Sequence, residues 1–454
     1  MQSLGFSHWT TILVLAGSVF SAGCRPSYEV DVVSAKQSGV AIKDMASELS
    51  PQDWPSWRGS QHDGVVRDAA SIPGDGFQWP ESAKVIWTSD VPGRGHSSPI
   101  VVGDAVYLAT ALDEEQQQRV LCFDRETGEV RFDKLIHQGN FPTDREVHKK
   151  ATNANSTIAS DGKRLYVTFF NSQSIFATAL DMNGEEVWQT KVGMFVSRFG
   201  YAPSPILYQS LVIVSADNSG GGYIAALDTE TGEVAWRIKR GDTDSYSSPT
   251  VANVGGRDQL LISGDGAVTS YDPATGELLW RTACISKATC GTVIAADERI
   301  FASGGFPDEE TVCLTADGER VWSNETKIYE PSLLSQGGFL VAVSDDGIGF
   351  CWDAATGELH WKKRIGGNFS ASPVAIGDVA LVPNLDGDLH VFRIGERFEQ
   401  IAKYRIGVDS YTSAAIHRGD LLLRVGGENL AKRLERLVCV QLIGDNVGQP
   451  VLIE

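Results

Sequence analysis

The chain is predicted to be all-β, an eight-bladed β-propeller of four-stranded antiparallel blades closed by its N-terminal strand. Three observations predict it. A phrase of Asp, Thr-Gly-Glu turn and Trp keeps returning. A Ser or Thr anchor recurs at nearly constant spacing. Short β-branched and aromatic runs fill the intervals, bounded by glycine turns.

The phrase reads Asp228-Thr-Glu-Thr-Gly-Glu-Val-Ala-Trp236, Asp272-Pro-Ala-Thr-Gly-Glu-Leu-Leu-Trp280 and Asp353-Ala-Ala-Thr-Gly-Glu-Leu-His-Trp361. Worn copies run from Asp124 to Phe132, Asp181 to Trp188 and Thr315 to Trp322. The Asp ends a third strand and binds backbone groups two residues on, and the Gly supplies positive φ for a tight hairpin. The Trp then lies on an outer strand and packs between neighbouring blades.

The anchors are Ser98, Thr157, Ser204, Ser248, Thr292, Ser332, Ser372 and Ser413. From Ser204 onward they are 44, 44, 40, 40 and 41 residues apart, whereas Ser98 and Thr157 are 59 apart, so an insertion lies between them. Runs such as Ala105–Ala109, Gln259–Ser263 and Phe339–Val343 read as strands. Four strands in a unit of about 40 residues is the period of a propeller blade.

Closure follows from the two ends of the repeat region. The last unit offers Ser413–Ile416, Leu421–Arg424 and Leu437–Leu442, then stops without an outer strand. Lys84-Val-Ile-Trp87 has an outer-strand pattern with no blade before it. Pairing these segments completes an eighth blade and removes two exposed sheet edges. Seven blades is the alternative count, because the unit around Phe392 to Tyr404 lacks its Trp.

Composition fits a turn-rich β chain, with 47 Gly and 11 Trp in 454 residues. The formal charge of −19 excludes nucleic acid and anionic lipid surfaces as partners, since both need clustered cations. Residues 1–23 read as a signal peptide whose apolar stretch, 10–20, is too short to span a bilayer. Ser21-Ala-Gly-Cys24 resembles a bacterial lipobox, which implies diacylglycerol on Cys24; ordinary secretion is the alternative. Residues 24–52 read as a lipid-anchored polar linker, 53–83 as a strap across one propeller face, 84–445 as the propeller and 446–454 as a tail.

The repeated phrase resembles the PQQ-like repeat family, the eight-bladed propellers of quinoprotein alcohol dehydrogenases and their non-catalytic relatives. The segment Asp53-Trp-Pro-Ser-Trp-Arg-Gly59 is similar to the start of planctomycete-type members. The lipoprotein propeller of the β-barrel assembly machinery is similar in repeat type, blade number and anchor.

Cys122, Cys313, Cys351 and Cys439 fall in third strands of separate blades and read as small buried hydrophobes. Cys284 and Cys290 share one inter-blade loop, where a short disulfide closes if the compartment is oxidising. No metal site is expected.

Loops joining one blade's outer strand to the next blade's inner strand converge on the mouth of a propeller channel. Positions two before each anchor give a ring of His96, Asn155, Ala202, Tyr246, Cys290, Glu330, Ser370 and Tyr411. Flanking it, His148, Lys150, Arg198 and Tyr201 complete the candidate ligand-binding set with His96, Asn155, Tyr246, Glu330 and Tyr411; no catalytic residue is assigned. The insertion, 141–155, is longer than blade geometry needs, as functional loops tend to be.

Two functions compete. The first is a non-catalytic, monomeric propeller without a cofactor. It sits on the periplasmic side of a bacterial membrane, the outer one by resemblance, and binds a protein or glycan partner. The second is a quinoprotein dehydrogenase, for which the resemblance implies PQQ with Ca²⁺ and an adjacent Cys-Cys pair on the quinone ring. No such pair occurs, and no Cys-x-x-Cys-His either, so the first reading leads.

Overall fold

Each full Thr-Gly-Glu phrase turns a third strand into a fourth, and eight four-stranded antiparallel sheets close into a ring. The computed structural model describes residues 27–44, 47–68, 79–80, 83–429 and 432–441. The signal peptide, Cys24 and the tail lie outside the described residues. In chain order the blades occupy 100–138, 159–194, 206–239, 250–283, 294–324, 334–364, 374–405 and 415–441, the last completed by Lys84–Val91.

The count is eight. The unit without a Trp forms an ordinary sheet in which Leu389 pairs with Tyr404.

The Asp-to-Gly turn works as its residues dictate. The Asp228 carboxylate accepts the backbone N–H groups of Glu230 and Thr231 and the Thr231 hydroxyl. The same bonds recur at Asp124 and Asp353. Gly276 has φ +72°, as the hairpin requires.

Its missing side chain has a second reason. A Cβ on Gly276 would stand 2.7 Å from the Trp236 ring, and one on Gly232 2.6 Å from Trp188. Trp87, Trp188, Trp236, Trp280 and Trp322 each lie against the turn glycine of the following blade. The indole N–H then donates to a carbonyl of the same turn, as Trp188 does to Thr229 at 3.0 Å and Trp322 to Ala354 at 3.0 Å. The aromatic rings therefore fill the seams between blades, where the hydrophobic clusters also lie.

The anchors form the inner counterpart of these outer seams. The Ser98 N–H donates to the Thr157 hydroxyl, Thr157 to Ser204 and Ser204 to Ser248. Beyond Thr292 the series resumes through Ser332, Ser372 and Ser413, and Ser413 donates back to Ser98 at 3.1 Å. Backbone-to-hydroxyl bonds thus ring the channel at every step but that from Ser248 to Thr292, whose hydroxyl accepts the Trp57 indole N–H instead.

Closure uses stronger contacts. Trp87 pairs with Cys439 and Val91 with Glu435. At one end of the seam between the last and first blades, the buried Arg424 binds Glu435 and reaches the Ala109 carbonyl at 2.8 Å. At the other end, Arg125 of the first blade pairs with Asp420 of the last at 2.6 Å. Charged clasps on both sides tie the first blade directly to the C-terminal strands of the last, whose outer strand, Lys84–Val91, is joined to them by pairing alone.

The polar stretch before the strap docks on the blades. Tyr28 donates its N–H to the Gly220 carbonyl, and Val33 exchanges two backbone bonds with Arg237 on the outer strand of the third blade. A short helix, Ala35–Ser38, follows, and Lys43 then binds Ser210 at the opposite face.

Substitution separates the two roles of the turn glycine. Gly256 has the same φ as Gly276 with open space around it. Gly256→Ala is expected to cost about 1–2 kcal/mol, the left-handed penalty alone. Gly276→Ala is expected to cost clearly more in denaturant unfolding, because Trp236 must also move. Ser98→Ala leaves the buried Ser413 N–H without an acceptor and is expected to cost about 1–3 kcal/mol.

Burial holds His62, His137 and His390 down to about 4. Each folded value lies below the unfolded 6.5, so their contribution is complete above pH 6.5 and is lost as pH falls toward 4. The unfolding midpoint measured across that window should drop, and His390→Phe should flatten the drop.

Candidate functional site

The channel is closed at one end by the strap and open at the other. Trp54 pairs with Val101 on the free edge of the first blade's inner strand, and Ser160 donates to the Pro55 carbonyl. Val66 and Gly64 bracket Ala375 on the seventh blade's inner strand, here in a parallel bridge. Between them Arg58, fully buried, donates to the carbonyls of Leu333 and Asp63. Burial lowers its guanidinium to about 10, against the pull of Asp63, so it stays charged at neutral pH. The Trp57 indole points up the channel and donates to the Thr292 hydroxyl at 3.0 Å, forming a floor.

Above that floor opens a cavity of about 690 Å³, within the range of small-molecule sites. All eight positions two before the anchors line it: His96, Asn155, Ala202, Tyr246, Cys290, Glu330, Ser370 and Tyr411. They converge because each anchor opens an inner strand, so the residues just before it face the axis.

His148 and Lys150 of the insertion also line the cavity, and the Lys150 ammonium crosses it to pair with Glu330 at 3.2 Å. Glu330 further accepts the Ser370 hydroxyl in a short contact. His96 stacks on Tyr411 with ring centres 4.3 Å apart, and Arg94 lies over the same ring. Phe199 stands edge-on to Tyr246 and beside His148.

Two candidate residues lie elsewhere. Tyr201 is buried behind the wall, its hydroxyl bonded to the Ser215 carbonyl, though its own carbonyl accepts the Asn155 amide at 3.0 Å. Arg198 is exposed and does not line the cavity, because the turn at Ser197 directs Phe199 there instead. Cys284 and Cys290, the pair that a short bridge could join in an oxidising compartment, carry free thiols in the structure. Cys290 occupies a channel-facing position, whereas Cys284 directly follows the outer strand Leu278–Ala283 with its Sγ against the Thr282 carbonyl.

Sequence reasoning also missed Trp57, Ser219, Asp242, Phe306 and Tyr329, which line the cavity. Ser219 and Phe306 come from loops between second and third strands, which the anchor rule does not address. The exposed Phe306, after Gly304-Gly305, carried the one available signal, a large apolar residue in a polar turn.

The buried titratable groups of the mouth are neutral at ordinary pH. Burial, with the charges of Arg94, Arg424 and Arg433, holds His96 far below its usual value. Burial and the Glu330 charge raise the Cys290 thiol to about 12, and burial raises Tyr246 and Tyr329. Such a surface exchanges hydrogen bonds and aromatic contacts and has no buried group poised for proton transfer near neutrality.

Among the described residues, no three His, Cys, Asp or Glu side chains come together to hold a metal ion.

The family model for outer membrane protein assembly factor BamB matches residues 135–363 and 307–397. No curated protein sequence matches the chain. Among solved structures, BamB from Moraxella catarrhalis superposes with a TM-score of 0.58 at 17% identity, covering 79% of this chain and 99% of that one. Quinohemoprotein alcohol dehydrogenase from Comamonas testosteroni gives 0.65 at 14%, covering 92% and 86%. The enzyme of that name from Pseudomonas putida HK5 gives 0.62 at 12%, covering 89% and 82%. At these identities the likeness is one of fold.

The Lys150–Glu330 pair is half exposed, so Lys150→Met should change stability by no more than about 1 kcal/mol. The same substitution frees the insertion from the opposite wall. Limited proteolysis within 141–155 should therefore become faster while the unfolding midpoint stays in place.

Proposed function

The chain belongs to the propeller family of outer membrane protein assembly factor BamB, and from that premise we propose that it is a non-catalytic docking module of the cell envelope. It presents the channel mouth to a partner protein, from the periplasmic side of the outer membrane, held there by lipid on Cys24. The observation that carries this reading is the chemistry of the mouth. Eight blades each contribute one side chain to a solvent-open cavity whose buried titratable groups are neutral and whose rim carries exposed aromatics. Such a lining suits recognition, in which rigid aromatic groups and satisfied polar groups supply contact area.

The blades hold these residues on inner-strand ends tied into the hydroxyl ring, so the surface is fixed before a partner arrives. Preorganisation of that kind lowers the entropic cost of binding.

A photo-crosslinking residue at Tyr246 in the native envelope should give a discrete protein adduct, while the same residue at Val187 on the outer rim should not. Equal adducts at both positions would count against the mouth. A saturable, stoichiometric spectral change with pyrroloquinoline quinone and Ca²⁺, accompanied by alcohol oxidation with an artificial acceptor, would replace the docking reading with a dehydrogenase.

A further inference from the structure

The N-terminal segment is laid down the third blade with a fixed polarity. Tyr28 is bonded to Gly220, whose neighbour Ser219 lines the mouth. Val33 then pairs with Arg237 in both directions, and Val30, Val40 and Ile42 pack into the clusters of the second and third blades. By Lys43 the chain has reached the Ser210 turn at the far end of the blade, and the strap continues across that opposite face. The first docked residue therefore stands at the mouth, and the segment after it runs away from the mouth.

Cys24 is four residues before Tyr28. A fully extended chain of four residues spans at most about 14 Å. A lipid on Cys24 would accordingly hold the bilayer surface within about that distance of Tyr28, which is bonded to Gly220 at the mouth rim. Were residues 27–43 undocked, the free tether would be several times longer and would permit any orientation.

The same face carries exposed apolar side chains from separate loops: Phe199, Phe306 and Val408, with Phe306 64% exposed. The cavity between them is edged by Asp242 and Asp244, and the whole chain carries −19, which disfavours anionic lipid.

We propose that the channel mouth faces the bilayer, with Phe199, Phe306 and Val408 resting in the headgroup region of a zwitterionic lipid surface. This rests on the lipid anchor at Cys24 and adds the orientation. It also implies that a partner at the mouth is one held at the membrane. Aromatic rings at the interface add affinity that a single anchor lacks.

The full-length lipoprotein, labelled with an environment-sensitive fluorophore at F306C or at N253C on the opposite face, would be reconstituted on phosphatidylethanolamine–phosphatidylcholine vesicles containing a nitroxide lipid. Fatty-acid incorporation that is lost in Cys24→Ala checks the anchor separately. With incorporation, quenching should be several-fold greater at 306 than at 253, and added anionic lipid should reduce it. Val33→Pro, which removes a donor that ties the segment to the blade, should erase the difference between the two sites while leaving incorporation intact. Incorporation with equal quenching at both sites, or more at 253, would overturn the orientation alone. No incorporation would overturn the anchor and the orientation together.

Discussion

A propeller blade cannot bury its own two faces, so everything in this molecule depends on how one blade grips the next. The grip is the same at most seams. On the outside a Trp ring lies on the bare Cα of a turn glycine and donates its indole N–H into that turn. On the inside a Ser or Thr hydroxyl accepts the N–H of the preceding anchor. Each inner bond contributes modestly, about 0.5–1.5 kcal/mol by general experience. Repetition at seven of the eight steps around the ring makes them a framework, because a blade that shifts strains its neighbours.

The junction between the last and first blades differs from the others, and the difference is physical. It involves a last blade whose outer strand, Lys84–Val91, continues along the chain into the first blade but is held to its own three partner strands by pairing alone. It also adds Arg424 with Glu435 at one end and Arg125 with Asp420 at the other. The Arg424 guanidinium is buried, and its hydrogen bonds to Ala109 and Thr110 span the two blades. A buried charge of this kind is tolerated because nearly every donor is directed at a fixed acceptor. The strap adds a second crossing by pairing with inner strands of the first and seventh blades.

The mouth inherits its rigidity from the same ring. The residues lining it precede the hydroxyl anchors by two positions, so the bonds that hold the blades together also place the contact surface. The insertion after the first blade is added on top, tied across the cavity by Lys150 and Glu330. The framework thus keeps one face regular and leaves the other to varied side chains, a division that lets one architecture serve many functions.

The blade count, the closing strand and the eight lining positions were legible in the sequence, because each depends on a short local phrase repeated at constant spacing. The turn glycines were read for their φ, which is local; their contact with the preceding blade's Trp required two blades in place. Arg198 and Tyr201 were misplaced because adjacent loop residues point in different directions once Ser197 sets its turn. Cys284 and Cys290, close along the chain, diverge because one directly follows an outer strand and the other faces the axis. The floor under the cavity and the docking of residues 27–43 lay beyond any periodic signal, since Trp57 and Val33 meet partners some two hundred residues away. By itself the sequence determined the repeat and hence the ring, because local pattern dictates strands and turns. Only the tertiary structure decided which side chains share the mouth and where the N-terminal segment leaves the molecule, because those are contacts between segments that the chain order does not relate.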